Sequence, residues 1–196
     1  MEAVESVVRD AFESAVCSHQ RMLEDPILVR EIARWAEVCA QTIRSGGTVF
    51  FAGNGGSFAD AQHLAAEFTG RMLRDRGPLA GVALGTNSSS MSAIANDYGY
   101  DEVFTREIEA LGRAGDVLVV LSTSGNSRNV IAAVEAATTK GLLCVALTGE
   151  ASSLLSQTCE TIRVPADRTD RIQELHILLG HVLCSTADDL LREPVD

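Results

Sequence analysis

Basic residues are scarce in this sequence, and their scarcity argues against two classes of partner. The 196 residues include 16 Lys and Arg against 27 Asp and Glu, which gives a formal net charge of −11 at pH 7. Binding to nucleic acid or to an anionic membrane surface depends on clustered positive charge, so we expect neither partner. An anionic small molecule stays compatible, because one local site can differ in sign from the whole chain.

Long apolar runs are also missing. No uncharged stretch approaches the ~20 residues that a membrane-spanning helix needs. The chain begins MEAVESVVRDAFESA, with acidic residues early and without the basic-then-apolar order of a signal peptide. We therefore expect a soluble protein of the cytoplasm.

Closely spaced cysteines are the third absence. An odd, dispersed set is typical of reduced thiols and not of a disulfide framework or a zinc ribbon. The five cysteines are Cys17, Cys39, Cys144, Cys159 and Cys184.

Hydrophobic residues make up 46% of the chain, which is enough for a sizeable core. Without repeats or linkers, the sequence predicts one domain over residues 1–196. Residues 1–46 form a helical extension of two helices, the second announced by Asp25-Pro26, a capping carboxylate followed by proline. Residues 47–196 form an α/β core.

In that core, short apolar runs alternate with helical patterns. Strands rich in Val and Leu that alternate with helices predict a five-stranded parallel sheet in a three-layer α-β-α sandwich. Ligands of such sheets bind beyond the carboxyl ends of the strands, where the strand order reverses. The predicted strands are 48–52, 81–84, 116–121, 142–147 and 161–164, and the predicted helices are 57–73, 89–95, 101–111, 127–139, 151–157 and 170–191.

The first strand ends in Gly53-Asn54-Gly55-Gly56-Ser57. Glycines allow close backbone approach, and the helix that follows offers free N–H groups to an anion. Ser57 with Asp60 resembles a capping box. A plain tight turn is the alternative explanation.

The third strand ends in Ser122-Thr123-Ser124-Gly125-Asn126-Ser127, and a helix follows at once. Its hydroxyls and the helix-start amides form a neutral cradle for a phosphate dianion. The Walker lysine and the G-x-G-x-x-G spacing are both missing, so we expect a phosphate ester and no nucleotide cofactor. The alternative is a serine-rich loop that merely caps its helix.

Two helices carry candidates for proton transfer. His63 and Glu67 are four residues apart, hence on one helix face, where a simple surface pair is the alternative. Gln173 and His181, on the last helix, are about 12 Å apart along its axis, and long side chains can still converge. His176 competes with His181 for this face, and spacing alone does not choose between them; an interior role is the alternative for either histidine.

Five motifs follow one another along the chain, in this order: GNGGS, a helix with H-x-x-x-E, NDYGY, STSGNS, and R-I-Q-E-x-H with a further His. Through these motifs the sequence resembles the phosphoheptose isomerase family of the SIS-domain class. The likeness covers nearly the whole chain. STSGNS alone marks a phosphosugar-binding SIS domain, whereas the combination of Glu67, Gln173 and His181 points to the heptose enzymes. The resemblance implies the flavodoxin-like SIS fold.

The resemblance also implies an activity: conversion of D-sedoheptulose 7-phosphate to D-glycero-D-manno-heptose 7-phosphate through a cis-enediol, the first step towards nucleotide-activated heptoses. Glu67 and His181 would be the acid–base pair. Zinc would be held by His63, Glu67, Gln173 and His181, and the assembly would be a homotetramer. The implied substrate contacts are Asn54, Gly55, Gly56, Ser57, Glu67, Asn96, Asp97, Ser122, Thr123, Ser124, Ser127 and Gln173.

Two other functions stay open. One is a non-catalytic SIS relative that binds a replication initiator protein; such relatives lack the glutamate found here as Glu67. The other is an isomerase or a regulatory sensor for a different phosphosugar, since fold likeness alone does not decide function.

Overall fold

The computed structural model describes residues 1–192. Five strands alternate with helices, after two leading helices. The elements are α1 Glu2–Leu23, α2 Pro26–Arg44, β1 Val49–Gly53, α3 Gly56–Thr69, β2 Gly81–Ala83, α4 Ser88–Asp97, a 3-10 turn Tyr100–Glu102, α5 Thr105–Leu111, β3 Val117–Leu121, α6 Arg128–Thr139, β4 Leu143–Thr148, α7 Leu155–Thr158, β5 Glu160–Arg163 and α8 Thr169–Arg192.

The sheet is all-parallel, with the strand order β2-β1-β3-β4-β5. Apolar clusters cover both faces: Phe51 packs with α2, α3 and α8, whereas its neighbour Phe50 packs with α4, α5 and α6. Successive side chains of a strand alternate between faces, so one strand anchors both layers. The predicted three-layer sandwich is confirmed. The order reverses at β1, which places the expected ligand crevice between the ends of β1 and β3.

The leading helices differ in how they pack. Asp25 caps α2 as predicted, accepting the Ile27 and Leu28 N–H groups at 2.9 and 3.1 Å. Helix α2 buries Trp35 and its apolar neighbours against α8. Helix α1, in contrast, leaves Phe12 and Val16 69% exposed. Within residues 1–192, none of the helices combines the length and hydropathy of a membrane span.

Three local predictions were wrong. Helix α3 ends at Thr69 and not at residue 73, because the guanidinium of Arg76 takes up carbonyls of its last turn. Helix α7 is a single turn. Ser57 is not a capping residue: Gly55 holds the N-cap position of α3, and no side chain caps that helix.

Candidate active site

The loop of residues 53–57, here called the glycine loop, joins β1 to α3. A Cβ atom at Gly53 would lie 2.6 Å from the Ser57 carbonyl oxygen, so this position admits no side chain. Gly55 has a φ of +57°, a conformation that favours glycine. Because no side chain caps α3, and the Phe58 N–H donates to the Gly55 carbonyl, the N–H groups of Gly56 and Ser57 are the ones that a ligand at this helix start can meet.

Residues 122–127, the phosphate loop, join β3 to α6. The Gly125 N–H donates to Ser122 Oγ at 3.2 Å, and Ser122 Oγ lies 3.5 Å from Ser127 Oγ. Ser127 is the N-cap residue of α6 but makes no capping side-chain bond. A loop that merely caps its helix would use that hydroxyl for the cap, so the arrangement favours an anion at the helix start.

The segment after β4 forms hydrogen bonds with the phosphate loop. Asn126 Oδ1 accepts the Leu154 N–H at 2.9 Å, and the Leu155 N–H donates to the Gly125 carbonyl at 3.1 Å. Thr123 and Ser124 line a cleft of about 620 Å³ across the ends of β3, β4 and β5. The contacts to Leu154 and Leu155 had no signal in the sequence, since they join positions about thirty residues apart.

His63, Glu67 and His181 form one group, here called the acid–base group. His63 Nε2 lies 3.1 Å from Glu67 Oε1 and 3.0 Å from His181 Nε2. One ligand atom from each of the three residues lies within 4.8 Å of the others. Helices α3 and α8 therefore bring Glu67 and His181 to a single place, where the Glu67 side chain is 18% exposed and the His63 side chain is 53% exposed.

Asp60 lies in this region, although the sequence pattern indicated only a capping role for it. Burial raises the pKa of its carboxyl group, while the positive charges of His63 and His181 act in the opposite direction. Its Oδ2 atom is buried and lacks a hydrogen-bond partner within residues 1–192. Asp60 therefore places a further carboxyl group one turn before His63.

Gln173 contacts the glycine loop. A Cβ atom at Gly56 would fall 2.6 Å from Gln173 Nε2, so the amide rests on the glycine loop. His63 follows seven residues later in α3, about 10 Å along the helix axis. The structure thus brings His63, Glu67 and His181 together and sets the Gln173 amide against Gly56; zinc binding by these four residues stays a prediction.

His176 does not compete for the site. Its side chain is fully buried, and burial lowers its pKa to about 4. Neither ring nitrogen has a hydrogen-bond partner in the described part of the chain. His176 is therefore a neutral core residue, and His181 is the histidine of α8 that reaches the acid–base group.

Asn54 connects the glycine loop to α6. Its Nδ2 donates to Asn129 Oδ1 at 2.8 Å, and Asn129 Nδ2 donates back to Asn54 Oδ1 at 2.9 Å. The Tyr100 hydroxyl donates to the same Oδ1 at 3.2 Å. Asn129 and Tyr100 were not predicted as site residues, although Tyr100 ends the NDYGY motif and Asn129 follows the phosphate loop by two residues.

Asn96 and Asp97 occupy the end of α4. Asn96 Nδ2 donates to Asp97 Oδ1 at 2.8 Å. The two residues line a shallow groove along α4 with Ser88, Ser89 and Ser92. Their role as substrate contacts stays a prediction.

Comparison with known proteins decides the family. A SIS domain model matches residues 16–149. The phosphoheptose isomerase of Rhodospirillum rubrum is 53% identical over 161 residues, which cover 82% of this chain and 86% of the relative. That of Thermodesulfovibrio yellowstonii is 42% identical over 192 residues, which cover 97% and 94%. The chain belongs to the phosphoheptose isomerase family of SIS-domain proteins.

Solved structures of the family superimpose closely. The phosphoheptose isomerase from Neisseria gonorrhoeae matches with a TM-score of 0.88 and 44% identity, over 95% of this chain and 99% of that one. The phosphoheptose isomerase from Francisella tularensis matches with a TM-score of 0.89 and 31% identity, over 96% and 100%. The family resemblance and the SIS fold predicted from the sequence are confirmed, and the chain is an isomerase of this family.

The Asn54–Asn129 pair gives a first testable prediction for a phosphoheptose isomerase. Asn129→Ala leaves the Asn54 amide without its partner, so we expect about a tenfold loss in kcat/KM from a misplaced glycine loop. Steady-state kinetics measure this loss. Asn87→Ala is the matched control, because Asn87 caps α4 through the Ser90 N–H and its loss affects stability at another helix. Equal kcat/KM values in the two variants would contradict the prediction.

Proposed function

We propose that this isomerase interconverts D-sedoheptulose 7-phosphate and D-glycero-D-manno-heptose 7-phosphate, the first step in making nucleotide-activated heptoses. One observation carries the proposal: Glu67 and His181, 114 positions apart in the chain, meet in one group through His63. An aldose–ketose shift needs one base at carbon and one group at the oxygens, and this pair supplies both. We take residues 1–196 to act as a single SIS domain.

The phosphate loop would hold the substrate by its ester group. The Ser122 and Ser127 hydroxyls, 3.5 Å apart, would act with the Ser124 hydroxyl and the first N–H groups of α6 as neutral donors. Such donors bind a dianion without the charge of a lysine, in agreement with the acidic character of the chain. The glycine loop and Gln173 would contact the sugar.

Proton transfer then needs no redox partner. A base, Glu67, takes a proton from C1 of the ketose; the electrons of that C–H bond form the C1–C2 double bond, and the C2 oxygen gains a proton. The product of this step is a cis-enediol. Return of the proton to C2, with loss of the proton from the C1 hydroxyl, gives the aldose. His181 would serve the two oxygens, since an imidazole both donates and accepts near neutral pH.

The acid–base group also fits a zinc ion. Two imidazole nitrogens and a carboxylate oxygen within 4.8 Å of one another are ordinary zinc donors. His63, Glu67 and His181 would hold the ion, with Gln173 as the predicted fourth ligand. Bound zinc would supply Lewis-acid stabilisation of negative charge on the substrate oxygens.

Helix α1 supports the proposed homotetramer. Val4, Val8, Phe12 and Val16 are 47–69% exposed and recur every four residues along the helix. An apolar patch of this kind is typical of a subunit contact. We also propose a cytoplasmic location, with which the five free cysteines agree.

The direct test is incubation of the pure protein with sedoheptulose 7-phosphate while heptose formation is followed by NMR. In ²H₂O, transfer through an enediol incorporates solvent deuterium at the carbon that gains the proton. Conversion of a five- or six-carbon phosphosugar, with no conversion of the seven-carbon one, would instead favour the alternative of an isomerase with another substrate. Binding without turnover of any phosphosugar would contradict the enzyme assignment.

Ser124→Ala tests the phosphate loop. A lost hydrogen bond to a charged group costs about 1.5–3 kcal/mol, so we expect the dissociation constant for the phosphosugar to rise at least about tenfold. Calorimetric titration measures the constant. Ser45→Ala, an exposed serine at the end of α2, is the control and should bind as the wild type does. An unchanged constant for Ser124→Ala would place the phosphate elsewhere.

A further inference from the structure

Arg76 is a buried arginine in the segment between α3 and β2. Its side chain is 11% exposed. Nη2 donates to the Glu67 carbonyl at 2.7 Å, and Nη1 donates to the carbonyls of Phe68, Gly70 and Gly77 at 2.9–3.1 Å. The Arg76 guanidinium therefore binds the carbonyl groups at the C-terminal end of α3, including that of Glu67, whose carboxylate belongs to the acid–base group.

The remaining donor of Arg76 faces α8. Nε donates to Asp188 Oδ1 at 2.8 Å, and the Asp188 side chain is 6% exposed. Arg192 holds the second oxygen of the same carboxylate at 2.8 Å. Asp188 is seven residues, about two turns, beyond His181, so both side chains lie near the same face of α8.

Helices α3 and α8 also touch beside His181 and between His181 and Asp188. A Cβ atom at Gly180 would lie 2.5 Å from the Leu64 methyl groups, so the two helices approach as closely as glycine allows. Cys184 Sγ lies 3.9 Å from the Leu64 carbonyl. The acid–base group and the Arg76–Asp188 pair are thus two connections within one helix pair, with close packing beside the acid–base group.

We infer that the Arg76–Asp188 pair is a positioning element of the active site, which sets the separation of Glu67 and His63 on α3 from His181 on α8. The inference rests on the proposed function. A buried ion pair adds little net stability over an apolar pair, but its geometry is narrowly defined. In this protein Arg76 also donates a hydrogen bond to the Glu67 backbone carbonyl. A shift of about 1 Å between reacting groups lowers the rate up to a hundredfold.

The chain contains a matched control one residue further along α8. Arg74 and Asp189 form an ion pair between the same segment and the same helix, at 3.7 Å and with side chains 69% and 62% exposed. An exposed pair is weakly coupled to the fold, so Asp189→Asn removes a charge of the same kind without touching the α3 end.

The experiment compares Asp188→Asn and Arg76→Lys with Asp189→Asn at a temperature well below unfolding. We expect kcat to fall at least about tenfold in the first two variants while KM changes less than about twofold, because the phosphate loop is untouched. Arg76→Lys keeps the charge opposite Asp188 and loses the fork that reaches Glu67, so it separates positioning from charge. A role in stability alone would lower the melting temperature of the folded variants and leave kcat unchanged.

A second readout does not depend on turnover. The rings of His63 and His181 are 5.0 Å apart between centroids, and with four histidines in the chain their NMR signals are readily assigned. We expect the contact between the two rings to weaken in Asp188→Asn and to persist in Asp189→Asn. Ring contact and kcat both unchanged in Asp188→Asn and Arg76→Lys would overturn the inference. A ring contact that weakens in Asp188→Asn, together with a wild-type protein that converts no phosphosugar, would overturn the proposed function and leave the positioning role in place.

Discussion

Glu67→Gln is expected to remove turnover of the heptose phosphate while the fold and phosphosugar binding persist. Glutamine keeps the shape of the side chain and its contact with His63 but cannot accept a proton from carbon. General base catalysis contributes about 10²–10⁴-fold, so kcat should fall within that range. NMR of the sugar mixture at equilibrium and at early times measures the loss.

The controls for Glu67→Gln separate chemistry from binding. Glu135→Gln changes an exposed glutamate on α6 and should leave kcat at the wild-type value. Calorimetric titration of Glu67→Gln with the substrate should still show binding through the phosphate loop. If turnover of Glu67→Gln stays within about threefold of wild type, Glu67 is not the base.

The second large effect is the pH dependence of the free energy of unfolding, to which the buried His176 contributes. Burial lowers the pKa of this imidazole from 6.5 to about 4 in the folded chain. In the unfolded chain the His176 imidazole therefore binds a proton below about pH 6.5. In the folded chain it binds that proton only below about pH 4. Above about pH 6.5 the His176 imidazole does not change the free energy of unfolding. Between about pH 6.5 and pH 4, that free energy falls by roughly 1.4 kcal/mol for each unit by which the pH decreases.

Replacing His176 should flatten that dependence. His176→Leu removes the titrating group, and the bonding of the core changes little because neither ring nitrogen has a partner within residues 1–192. Urea unfolding at pH 7, 6 and 5 should show a free-energy difference between wild type and variant that shrinks or reverses as the pH falls. His19→Gln, on α1, is the control. Parallel pH curves for wild type and His176→Leu would contradict the assignment.

The layers of the fold were predictable because each depends on local composition. Val117–Leu121 is an uninterrupted apolar run, which predicts a strand buried on both faces, and it is β3 at the middle of the sheet. Asp25-Pro26 predicted the start of α2 because the capping interaction involves only residues of the first turn. The end of α3 was misplaced because it depends on Arg76, a residue outside the helix that acts through its tertiary contacts.

The site was predictable in its parts and less so in its connections. The family resemblance supplied Glu67 and His181, and their meeting in the fold agrees with that implied pair. The choice of His181 over His176 needed the rotation of α8 against the sheet, which spacing cannot give. Asn129 and Asp188 were missed for a related reason: each acts on a residue more than seventy positions away in the chain.

The Asn54 amide has a consequence for how the site handles negative charge. Its oxygen already accepts two hydrogen bonds, from Asn129 and Tyr100, whereas its nitrogen has donated one of two hydrogens. The amide can therefore offer a ligand a donor but no lone pair. If the sugar meets this edge, an oxygen that gains electron density during enolisation finds an attractive dipole fixed beforehand, with no solvent reorientation required as the charge grows.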